Sequence, residues 1–209
     1  MAYRRTDRVE IRLAETRERI VGTALALVAA QGYGAAGMPA VAAAAGVSTG
    51  LLYRYFPSKA ALFDEVFRRA TAREIEACTQ AVAAPGPARD RLSRLVQTFA
   101  RRALKGRRLA WALLAEPAEP VVEADRLRLR EPYRALLAGI IRDGMTAGEI
   151  RPQDEALTAA ALVGAIAEAL RAALTGAPAG EPAGAPMDEE TLVAGLTRFC
   201  VQALGPPPD

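Results

Sequence analysis

Histidine is absent from this chain of 209 residues. That excludes Ser-His-Asp and Cys-His nucleophilic machinery, which needs an imidazole to carry the proton. Zinc sites go with it, since only two cysteines are present. Cys78 and Cys200 lie far apart with no ligand or disulfide spacing, which predicts two reduced, part-buried thiols in a cytoplasmic protein. Long hydrophobic runs are missing as well. Ala159–Ala167 is the longest, between Glu155 and Glu168, and a membrane span needs roughly 18 residues. The opening MAYRRTDRVE is charged without an apolar centre, unlike a secretory signal. The sequence calls for no metal and no cofactor.

Alanine, the best helix former, supplies 47 residues. Nowhere do apolar and polar residues alternate for long, so the chain reads as all-α. The net charge is only +3, but its placement is uneven. Residues 1–75 carry 11 basic and 7 acidic side chains, and the remainder carries 16 and 17. From Arg19 to Phe63 there is no acid at all. A surface free of acids is what a phosphate backbone requires.

Helical periodicity organises the rest. Residues 1–15 read as a flexible basic arm with Arg4, Arg5, Arg8 and Arg12. Thr16 reads as an N-cap, followed by Ile20, Ala24, Leu27 and Val28 on one face. Met38, Val41, Ala42 and Ala45 define a short second helix with Pro39 in its first turn. Ser48 caps Thr49–Phe56, which Pro57 ends. Ser58 caps a fourth helix reaching about Ala83. Pro85-Gly86-Pro87 is the clearest break. Then come a helix ending near Gly106, a short one over Arg108–Ala115, and a long one from Val121 to Gly144 that Pro132 should kink. Asp154 caps Glu155–Leu174. The stretch Gly176–Pro186 reads as a loop, and Asp188 caps a last helix ending at Gly205.

The most specific local signal is Met38–Tyr55. A helix-turn-helix needs a small residue where its two helices cross, a glycine in the turn and apolar residues that pin the pair. With Met38 as position 1, Ala42 stands at 5 and Gly46 at 9. Val41, Ala45, Val47, Leu52 and Tyr55 fill 4, 8, 10, 15 and 18. No charge interrupts the unit before Arg54.

The run AAAAGVSTGLLYRYFPSKAALFDEVF resembles the TetR family of bacterial transcriptional regulators. The Ala-Gly-Val-Ser turn, Leu-Tyr-Arg-Tyr-Phe and the following Ser-Lys-x-x-Leu carry the resemblance, over roughly residues 14–73. It implies a helix-turn-helix DNA-binding domain at 16–75 (motif about 38–56), a larger ligand-binding and dimerisation domain at 76–205, a short tail at 206–209, and about nine helices in all. It further implies a cytoplasmic homodimer that binds a double-stranded operator and is released by a small apolar or amphipathic effector. Ser48, Thr49, Gly50 and Leu51 match the groove-facing start of the third helix. Tyr53, Arg54, Tyr55 and Lys59 match positions at or beside phosphate. Two departures stand out: Ala36-Gly37 replaces the usual hydroxyl cap before the second helix, and Leu51 replaces a polar reader. Leu51 suits a thymine methyl instead.

Phe99, Trp111, Tyr133, Leu137 and Ile140 are candidates to line a ligand pocket, against the plainer reading as core. Glu168, in an otherwise apolar helix, either pairs with Arg171 or meets a cationic ligand. The helix at 155–174 is apolar nearly all round, which predicts cover by a second copy through Leu157, Ala161, Gly164, Leu192, Leu196 and Phe199. An enzyme is disfavoured: Glu116, Glu119, Glu123 and Asp125 lack a visible base, a phosphate loop or a metal set. A helical adaptor or an activator using the same motif is the alternative.

Overall fold

The computed structural model describes residues 7–175 and 188–206, all helix and connecting turn with no strand among them. Gly176–Pro186, Arg4 and Arg5 lie outside the described residues, as does the end of the tail. Three helices come first, α1 (Asp7–Gln31), α2 (Met38–Ala45) and α3 (Thr49–Tyr55). α4 (Lys59–Ala83), α5 (Ala88–Lys105), α6 (Arg107–Leu114) and α7 (Pro120–Arg128) follow. α8 (Glu131–Thr146), α9 (Glu155–Thr175) and α10 (Glu189–Gln202) complete the chain.

Two hydrophobic cores form. Ile20, Val28, Val41, Leu52, Phe63 and Phe67 belong to the first, which also takes Ala112 from α6 and Val122 from α7. Leu92, Val96, Leu137, Ile140, Leu162, Leu170 and Cys200 belong to the second. α4 serves both, with Leu62–Phe67 in one and Cys78 and Val82 in the other. At 25 residues it is roughly 37 Å long. It therefore acts as a rigid rod between the cores. Burial pushes the Cys78 thiol up to about 12 and Cys200 to about 11, so neither is a ready thiolate.

Most expected ends hold. Ser48 accepts from Leu51 N, Ser58 from Ala61 N and Asp188 from Thr191 N. Asp154 Oδ1 accepts from Ala156 and Leu157 N, both at 2.9 Å. Three expectations are corrected. α1 begins at Asp7, so 7–15 is helix rather than arm; Thr16 lies inside it and donates to the Arg12 carbonyl. Once the packed part of a helix exists, adding turns of Arg, Glu, Leu and Ala is cheap. The long helix expected at 121–144 is two, α7 and α8, giving ten helical segments among the described residues. Pro132 clashes with a preceding helical carbonyl, so the chain breaks ahead of it and proline takes the first turn of α8, where its missing N–H is not needed. α9 has a mean hydropathy of 1.6 over 18 residues, long and apolar enough by composition to cross a membrane. Its short strictly apolar run hides this, because Ala and Leu continue the character beyond it.

Candidate nucleic-acid interface and cavity

Gly46 ends α2 at φ 64°, a left-handed conformation that glycine adopts without strain. The turn it makes sends α3 across α2, and Leu52 and Val41, both fully buried, hold the crossing. Arg19 of α1 donates to the Ala45 carbonyl at 3.1 Å and closes the end of α2. Behind the motif, Glu65 takes Arg17, Arg68 and Arg69, clamping α1 to α4. The Arg17 hydrogen bond leads in holding the Glu65 carboxyl down at about 2, against the opposing effect of burial.

What this scaffold leaves outside is the start of α3. Ser48, Thr49 and Gly50 are exposed, Arg54 is exposed, and Tyr53 is 48% exposed. Leu51 is half-buried, and Tyr55 packs partly on the first core. Hence five of the eight expected contact residues are solvent-facing on α3, with Ser48, Thr49 and Gly50 at its N-terminus, which carries partial positive charge, and Tyr53 and Arg54 in its last turn. Lys59 is placed differently. Its ammonium donates to the Tyr33 carbonyl at 3.0 Å and lies 3.9 Å from the centre of the Tyr33 ring. One of its three donors is thereby engaged.

Sequence reasoning missed the seam between the cores. The Glu116 carboxylate, just past α6, accepts from Tyr33 N at 2.8 Å and Gly34 N at 2.9 Å. The Tyr33 hydroxyl donates to Glu119. Burial, then that bond, raises the Tyr33 hydroxyl well above its usual range, while the bond lowers Glu119. Arg126, only 4% exposed, donates to the Glu116 carbonyl, to the Ala112 carbonyl at 2.6 Å and to Glu123 at 2.6 Å. Burial pulls its guanidinium below the ordinary value, with Glu123 opposing. Glu116, Glu119 and Glu123 stand out in sequence as acids near a proline, which says nothing of a partner more than 80 residues away.

On the other side of Arg126 lies a cavity of about 110 Å³. Thr71 and Glu74 of α4, Phe99 and Arg102 of α5, Leu109 and Leu113 of α6, and Arg126, Arg130 and Tyr133 line it. A second chamber of about 50 Å³ shares Phe99, Leu114, Arg130 and Tyr133 and adds Leu95, Leu137, Val163 and Ile166. Phe99 and Tyr133 meet edge to face, ring centres 5.1 Å apart. Of the expected pocket residues, Phe99, Tyr133 and Leu137 line these chambers. Trp111 is half-buried beyond them, and Ile140 is packed in the second core. Glu168 lies on the outer face of α9, exposed and paired with Arg171 at 2.9 Å. The cationic-ligand reading of Glu168 is thereby corrected, because its helix turns that position to solvent.

The first three helices and the packing behind them define an all-helical helix-turn-helix protein with two small cavities beside its second core. Residues 20–66 match the family described as bacterial regulatory proteins, tetR family. Residues 85–171 match the tetracyclin repressor-like C-terminal domain. The chain belongs to the TetR family. It is 50% identical over 62 residues to the HTH-type transcriptional repressor KstR of Rhodococcus jostii. That match covers 30% of this chain and spans 27% of the relative's length. The fold is similar to the fatty acid degradation regulator FadR of Bacillus halodurans, at 19% identity and a TM-score of 0.71. That likeness covers 91% of this chain and 95% of the other. FadR of Bacillus subtilis, solved in complex with stearoyl-CoA, is similar at 21% identity, a TM-score of 0.70, and 90% and 96% coverage.

Proposed function

We propose that the protein is a homodimeric, cytoplasmic repressor with no enzymatic role, which leaves its DNA operator when a small apolar or amphipathic molecule enters the chambers beside Arg126. The observation that carries the reading is the exposed, acid-free start of α3, presented by the left-handed turn at Gly46. Ser48, Thr49, Gly50 and Leu51 face base edges, while Tyr53, Arg54, Tyr55 and Lys59 address phosphate. The division at 16–75 and 76–205 separates most of the two cores, with Ala112 and Val122 of the second part packing into the first core. The family match and the stearoyl-CoA complex of a relative with this fold support an effector in the second domain.

Two routes connect cavity and reading surface. Thr71 and Glu74 put α4 in the cavity wall, and the same rod begins at Lys59. Arg126 reaches the Glu116 carbonyl, and the Glu116 carboxylate holds the turn leading into α2. A molecule that displaces Arg126 or α4 thus moves the motif as a unit. Glu116→Ala removes an ionised acceptor from two backbone donors. It should lower stability by about 1–3 kcal/mol, read from the midpoint of urea unfolding. An unchanged midpoint would show that the seam contributes nothing.

The direct test is fluorescence anisotropy with DNA flanking the protein's own gene, titrated at several salt concentrations. Binding should weaken steeply with salt, and Lys59→Ala should reduce the log–log slope by about 1 per half-site. Absence of binding to that DNA at low salt rejects the repressor reading; an unchanged slope rejects the Lys59 contact alone.

A further inference from the structure

The charges around the two chambers are not balanced. Glu74 is taken by Arg102, through Nε at 2.6 Å and Nη2 at 2.9 Å. Arg126 is held by Glu123 and two carbonyls, yet its buried Nε has no hydrogen-bond partner. Arg130, between α7 and α8, is half-buried, and its side chain meets no acceptor among the described residues. Among the described residues Arg130 is also the one charged residue that lines both chambers. Beyond it the smaller chamber is closed by Leu95, Leu114, Leu137, Val163 and Ile166. A guanidinium with no counter-charge at the mouth of an apolar space is costly unless something supplies the missing anion.

From this geometry we infer that the effector is an amphipathic anion. Its anionic group is held by Arg130, beside the free Nε of Arg126, and its hydrocarbon part fills the smaller chamber. The inference rests on the proposed effector cavity and narrows what that cavity admits. A carboxylate matches the planar fork of Arg130 through two parallel hydrogen bonds, and a phosphate meets the same donors. Neutral molecules of equal hydrocarbon size fill the chamber and leave the charge unmatched. Two sources supply such chemistry, a free alkanoic acid and its coenzyme A thioester; in the thioester the carboxylate is gone and the phosphates are the anion.

Isothermal titration calorimetry on the full-length protein separates these. Octanoate, octanoyl-CoA and 1-octanol are titrated into the wild type and into Arg130→Gln. At least one anion should bind about tenfold or more tightly than octanol, the scale of a charge-assisted hydrogen-bond pair. Arg130→Gln should erase that margin and keep octanol affinity within about twofold, which also shows that the variant is folded. Octanoate binding without the thioester assigns the carboxylate; the reverse assigns the phosphates. Octanol matching both anions, no binding by any of the three, or a margin that survives Arg130→Gln overturns the inference. DNA binding by the unliganded variant, measured in parallel, should equal the wild type. Its loss in both proteins would condemn the repressor reading and leave the calorimetric result to stand for the cavity.

Discussion

Gly164→Arg should turn the protein into a monomer that keeps its fold and loses its operator. Ala159, Leu162, Val163, Ile166 and Leu170 turn one face of α9 into the second core. The opposite face shows Leu157, 69% exposed, with Ala161 and Gly164 in the next two turns. On α10, Phe199 is 54% exposed. Leu192 is half-buried and Leu196 is buried in the core, so of the residues expected to meet a partner Leu196 contributes least. Small residues let two helices approach closely, and the Glu168–Arg171 pair stands further along this face as a polar rim. A second copy of the same face is the symmetric way to cover such a surface, burying on the order of 1,200–2,000 Å². A Cβ added at Gly164 meets nothing within 4 Å among the described residues, so arginine there should spare the monomer and put a charge in the seam. Two reading heads bound to half-sites about 34–36 Å apart, or a multiple of that, give avidity of roughly 10²–10⁴. Operator affinity should fall on that scale. Light scattering after size-exclusion chromatography gives the mass, and a wild type that runs as a monomer at tens of micromolar would defeat both the dimer and the paired-site repressor.

Gly50→Leu should abolish operator binding while leaving the melting temperature within a few degrees of wild type. Gly50 is exposed in the first turn of α3, and a Cβ added there meets only open space. The fold therefore accepts leucine, and leucine is the better helix former by somewhat under 1 kcal/mol. On the proposed reading the constraint lies outside the chain: a base edge approaches the backbone at that point, and an isobutyl group would occupy its place. Circular dichroism melts and anisotropy titrations should be run on the same preparation. A variant that unfolds would make Gly50 a packing residue, and one that binds DNA normally would remove it from the groove.

The features legible in the sequence were those set within a turn or two of chain. Ser48, Ser58, Asp154 and Asp188 cap helices because their side chains reach an amide two or three residues on. Gly46 makes its turn because only glycine enters that conformation freely, and the placing of Val41, Ala45, Val47 and Leu52 on either side of it then dictates which faces meet. The all-helical class, the helix-turn-helix and the exposed row of α3 follow from such local rules. Tertiary structure decided whatever depends on a distant partner. It put Lys59 on Tyr33, turned Glu168 outward and enclosed the chambers around Phe99 and Tyr133. It also brought Glu116 to the amides of Tyr33 and Gly34 and buried Arg126 between the two cores. In sequence an acid or an arginine announces only its charge. Which group neutralises it, and whether it ends in water, in a seam or on a cavity wall, is settled when helices far apart in the chain pack to exclude solvent.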